Sequence, residues 1–123
     1  MPSKIIVVVA ALIFIGTRVS AQQRDDVLAG AGTSICSEFL ELSRRDPGFE
    51  TDFFEWAQGF MTGINWQLNA NASTRSLQRN LSDMDEEAQR LHIRQYCYRH
   101  PSEPYLAAVY DVYRLLPIIP SRN

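Results

Sequence analysis

Apolar residues recur with helical spacing along this chain, and the longest such stretch, Asp52 to Leu68 (DFFEWAQGFMTGINWQL), predicts a central helix. At about 100° per residue Phe53, Ala57, Phe60, Met61, Ile64 and Leu68 share one face, with Trp56, Gly59 and Gly63 as a shoulder beside it. Glu55, Gln58, Thr62 and Asn65 take the open side. A glycine inside a helix costs roughly 1 kcal/mol relative to alanine, so Gly59 and Gly63 are expected to let a partner backbone approach. Trp56, Gly59, Phe60 and Gly63 are thus the expected packing residues of this helix. Trp66 projects away from the apolar face, either to pack under the segment that follows or to stand out as an aromatic anchor.

Three shorter amphipathic stretches surround it. Thr33 or Ser34 can cap a first helix in which Ile35, Phe39 and Leu42 share a face with Cys36 at its edge. Arg44 and Arg45 suit its carboxyl end, and Asp46-Pro47-Gly48 reads as a turn before a helix capped by Asp52 with Glu55. Residues 69–80, NANASTRSLQRN, hold one leucine, too little to bury, and read as a loop or a frayed helical extension, the place where mobility is expected. Asn71 and Asn80 lie in glycosylation sequons, which matter only in a eukaryotic secretory path. Ser82, Asp83, Asp85, Glu86 and Glu87 mark the amino end of a third helix, with Met84, Ala88 and Leu91 turned inward, and Pro101 stops it. Ser102-Glu103-Pro104 opens a fourth, lined by Tyr105, Leu106, Val109, Val112, Tyr113 and Leu116, with Asp111 and Arg114 outside. No stretch alternates with period two over a useful length, so the expected class is all-α, a small four-helix domain.

The amino end changes the picture of compartment. Lys4, the apolar run Ile5 to Gly16 and Val19-Ser20-Ala21 predict a secretory signal peptide over 1–21, since an apolar run of about a dozen residues is short for a span of roughly 20. Residues 22–32 are then a flexible start, 33–117 the helical domain and 118–123 a tail. The mature chain would carry ten arginines, no lysine and fourteen carboxylates, a net charge of −4. Its arginines are interspersed with acids or sit in loops, which argues against a nucleic-acid surface, and no membrane segment remains after cleavage. Cys36 and Cys97 are the only cysteines; in an exported chain an even count reads as a disulfide, and only one pairing exists.

Candidate chemistry is sparse. His92 and His100 are the only histidines, and with both cysteines paired they supply too few ligands for zinc. Cys97 with His100 would serve as a nucleophile pair only with a free thiol. Glu38 and Glu41, and the acids from Asp83 to Glu87, read as solvated or capping groups. The sequence therefore predicts no catalytic residues, metal or cofactor, and its aromatics, Trp66, Tyr96, Tyr98 and Tyr110, are candidates for contact with a partner protein.

The order Cys36-Ser-Glu-Phe39-Leu40, Trp56-Ala-Gln-Gly59-Phe60, Tyr96-Cys97 and His100-Pro101, followed by an amphipathic helix, resembles the small periplasmic HdeA-type acid-stress chaperones. Gly59, Gly63 and Asn65 with the later Tyr-Cys and His-Pro pairs are also similar to the Tai-like immunity proteins that neutralise type VI secretion amidase effectors. The resemblance covers Cys36 to Leu116. It implies a periplasmic or secreted, non-enzymatic helical protein with one disulfide that binds another protein, either an unfolded client or a peptidoglycan-cleaving toxin. A small thiol or metal enzyme is the outlying alternative.

Overall fold

The computed structural model describes residues 29–120, so the expected signal peptide over 1–21, the start of the 22–32 segment and residues 121–123 lie outside it. The described chain is all-α: a 3₁₀ turn over Gly30–Thr33, then α1 (Cys36–Arg45), α2 (Pro47–Asn69), a second 3₁₀ turn over Arg75–Leu77, α3 (Glu86–Arg99) and α4 (Tyr105–Leu115). Two isolated antiparallel bridges, Ile35 with Pro104 and Arg79 with Ile118, are the only β pairing among the described residues.

A buried aromatic cluster holds the helices together. Phe39 of α1, Phe53 of α2 and Tyr105 of α4 meet with ring centroids 4.8–5.2 Å apart, in tilted and edge-on arrangements that suit the ring quadrupoles. Phe54, Ala57, Met61, Ile93, Ala108, Val109, Val112, Tyr113 and Leu116 pack around this cluster. Cys36 and Cys97, both fully buried, are joined in a disulfide that ties α1 to α3 with 4.8 Å between their Cα atoms.

The helix ends differ from expectation for identifiable reasons. Asp46-Pro47-Gly48 is not a turn before the helix but its cap. The Asp46 carboxylate accepts from the Gly48 amide at 2.8 Å and Pro47 takes the first helical position, where its missing N–H costs nothing. Neither Thr33 nor Ser34 caps α1 through its side chain. The first amides of α1 find backbone acceptors instead: Cys36 donates to Glu103 O (2.8 Å) and Ser37 to Pro101 O (2.9 Å), while the Tyr105 amide donates back to Ser34 O (2.8 Å). The start of α1 is therefore bound to the α3–α4 connection, where the expected caps are not needed. In the third helix the cap is Asp85, which accepts from the Ala88 amide at 2.9 Å, so Ser82 to Met84 stay in the preceding turn. The inward face also differs from the expected one: Gln89, Ile93 and Cys97 are buried, and Leu91 is exposed.

Candidate functional site

The structure reverses the expectation for Gly59 and Gly63. Both are exposed, and a Cβ added at either would meet nothing within 4 Å, so neither admits a close partner within the chain. The close approach occurs at Gly32 instead, where a Cβ would lie 2.2 Å from Trp56 Cη2 and 2.3 Å from Cζ2. Trp56 and Phe60 do pack as expected, stacked at 5.3 Å between centroids and only half-buried. The segment expected to start loosely thus ends, from Ala29, as an ordered turn over the Trp56 ring, and the Trp56 indole N–H donates to Ala29 O at 3.0 Å.

Beyond Phe60 the surface is apolar and shallow. Phe60, Pro104, Leu106, Ala107 and Tyr110 line one depression between α2 and α4. Phe60, Gly63, Ile64, Gln67 and Leu68 line a second along α2. Phe60 belongs to both, so they join into one strip. Gly63 contributes by leaving the helix backbone bare.

The four candidate contact aromatics are not brought together. Tyr110, half exposed, lines the strip and stacks on Tyr113 at 6.3 Å. Trp66 is 77% exposed on the outer side of α2, so the packing under residues 69–80 does not form. Tyr98 is exposed on α3, whereas Tyr96 is partly buried against the core and tilts over His100.

The following segment is held by Asn65 and not by Trp66. Asn65 Oδ1 accepts from the Arg79 amide (2.9 Å) and the Tyr113 hydroxyl (2.8 Å), while its Nδ2 donates to Arg79 O (2.8 Å). The Arg79 side chain donates to Leu116 O at 2.8 Å, and Asn80 N–H to Pro117 O and Ile119 N–H to Gln78 O tie in the tail. The end of the loop and the start of the tail are therefore fastened to each other and to α2. Burial raises the Tyr113 phenol pKa, against the lowering influence of the nearby Arg79. Gln58, placed on the open side by the wheel, donates from Nε2 to the buried Gln89 Oε1 at 2.8 Å, and Gln89 donates in turn to Leu81 O and Met84 O.

The chemical candidates resolve into structural contacts. Cys97 is in the disulfide and His100 is exposed beside Tyr96, so they form no thiol–imidazole pair. His92 Nε2 lies 2.8 Å from Asp111 Oδ2, and Asp111 also accepts from Arg114. The hydrogen bonds from His92 and Arg114 hold the Asp111 carboxyl below its ordinary pKa, against its partial burial. Arg94 joins Glu87 and Glu50, which raises its pKa and links α3 to the first turn of α2. Glu41 pairs with Arg45 one turn on. Tyr105, buried in the aromatic cluster, has its phenol pKa pushed up by burial and by Glu50. Among the described residues no three His, Cys, Asp or Glu side chains are grouped to hold a metal ion, and no helix is long and apolar enough to cross a membrane.

Compared with protein families, with curated proteins and with solved structures, the chain matches none.

Proposed function

We propose that this chain is a non-enzymatic protein-binding module of an exported, oxidising compartment, of the acid-stress chaperone type. The observation that carries the reading is the apolar strip along Phe60, Ile64, Leu106 and Tyr110, an open surface beside the core that suits the side chains of another polypeptide. The Cys36–Cys97 bridge supports an oxidising compartment, and cleavage after Ala21 would give an intact mass beginning at Gln22.

Acid supplies the switch that a chaperone of this type requires. Glu50 on Arg94 links α2 to α3 and Asp111 on His92 links α4 to α3, while Glu87 and Arg114 add pairs within α3 and α4. Towards pH 2 the fourteen carboxylates of the mature chain lose charge while its ten arginines keep theirs, so repulsion opposes compaction and the disulfide limits expansion. The expected outcome is that aggregation of rhodanese, diluted from guanidinium chloride, is suppressed by the protein at pH 2–3. Unhindered aggregation there, together with an unchanged fold by tryptophan fluorescence, would sink the chaperone reading.

The second reading is an immunity protein that blocks a peptidoglycan-cleaving effector. It is favoured by the strip's being open in the compact, ion-paired state, since a folded effector needs a formed surface at neutral pH. Titration calorimetry against an effector encoded beside it should then give tight one-to-one binding near pH 7, and no heat would count against it.

A further inference from the structure

Ala29 to Thr33 lies across Trp56 as a strap, and its composition is dictated by the ring beneath it. Gly32 must be glycine, because a Cβ there would enter the six-membered ring at 2.2–2.3 Å. Gly30 has φ +71°, in the left-handed region, and a Cβ there would stand 3.2 Å from Trp56 Cδ1 and Nε1. From Ser34 onward the chain is bound to the body through Tyr105 N–H to Ser34 O, Cys36 N–H to Glu103 O and the disulfide. Before Ser34, among the described residues, one hydrogen bond reaches the body, from the Trp56 indole to Ala29 O; the others, Thr33 Oγ1 to Gly30 O and Ser34 N–H to Ala31 O, are internal to the strap. Held by that bond and by the packing of Ala31 and Gly32 against the body, the segment is a flap with its hinge at Ser34 and Ile35.

What it covers matters, because Trp56 stacks on Phe60 and Phe60 lines both halves of the apolar strip. Lifting the flap breaks no helix and leaves the disulfide untouched, yet it extends the strip by the face of an indole. Of its side chains only that of Ala31 is partly buried, Ala29 and Thr33 being exposed, so the strap covers the ring with glycine backbone and withdraws a single methyl group. A bulkier apolar side chain in place of that methyl removes more area from water, which favours exchange of the strap for such a segment.

We infer that residues 29–33 are an intramolecular gate on the protein-binding surface, displaced by an apolar segment of an unfolded client. This rests on the chaperone reading above, and the experiment separates the two. In a Trp66→Phe background Trp56 is the sole tryptophan, and acrylamide quenching reports its cover. Gly32→Val should raise the quenching constant at least twofold at pH 7 with the helical circular dichroism kept, and Gly30→Ala should raise it less. With Trp66 restored, Gly32→Val should suppress rhodanese aggregation at pH 7 at a several-fold lower ratio to client than the unmodified protein. Where Gly32→Val does not fold cooperatively, Gly30→Ala carries both measurements. Quenching unchanged in the folded variants overturns the gate, as does raised quenching with no gain in suppression. Failure of the unmodified protein to protect rhodanese at pH 2–3 instead overturns the chaperone reading, whatever the quenching shows.

Discussion

A glycine in a helix is explained by what would collide with its side chain, and by that test Gly59 and Gly63 have no explanation within the chain while Gly32 does. Gly63→Ala should therefore stabilise the protein by about 0.5–1 kcal/mol, the helix-propensity difference, measured by urea unfolding. A loss of stability would mean that this position is crowded after all. Asn65 is the opposite case, a side chain whose three hydrogen bonds fasten α2 to Arg79 and Tyr113. Asn65→Ala leaves the Arg79 amide and the Tyr113 hydroxyl without their acceptor, so a loss of about 1–3 kcal/mol is expected, with faster hydrogen exchange at residues 78–80. Gln58→Ala likewise removes the donor to the buried Gln89 Oε1 and should not be silent, although the helical wheel alone places it outside.

At the scale of elements, α2 organises the domain because its length lets its first turn meet α3 through Glu50 and its last turns meet the loop through Asn65. Its start depends on Asp46, and Asp46→Ala should cost about 1 kcal/mol. Asp52→Ala, at the start read from the sequence, should cost little by comparison, and paired thermal melts of the two variants decide between the boundaries. The periodicity of α2 was legible because its apolar face is continuous. The starts of α1 and α3 were not, since a run of Ser, Thr and Asp offers several candidate caps and the choice depends on which amides already have acceptors. For α1 those acceptors are Glu103 O and Pro101 O, more than 60 residues along the chain.

For the whole molecule, the disulfide closes a loop of 60 intervening residues, for which the chain-entropy model gives about 4 kcal/mol. Cys97→Ser should lower stability by a few kcal/mol in denaturant titration, and labelling of the folded protein should find no free thiol. Acid acts on the same inter-helix contacts. The folded pKa of Asp111 lies below that of an unfolded carboxyl, so its contribution is complete above about pH 4 and is lost as pH falls through the lower folded value. The stability gap between the protein and its Asp111→Asn variant should therefore be present at pH 5–7 and close below pH 4. A gap that persists unchanged at pH 2 would mean that the charge on Asp111 contributes nothing.

Periodicity and cysteine count by themselves determined the all-α class, the four helices and the single disulfide, because helical spacing and the parity of thiols are local or countable properties. They also placed Trp56, Phe60, Val109 and Val112 on inward or packing faces, since a face is set by angle alone. Tertiary structure decided which glycine is crowded, that Leu91 is exposed and Gln89 buried, and that Asn65 rather than Trp66 holds the loop. Each of these depends on what a distant segment places opposite the side chain: the ring of Trp56 over Gly32, the carbonyls of Leu81 and Met84 around Gln89, the backbone of Arg79 at Asn65. A helical wheel gives the direction of a side chain but carries no information on its neighbour, and the neighbour decides whether a polar group is satisfied or an aromatic covered.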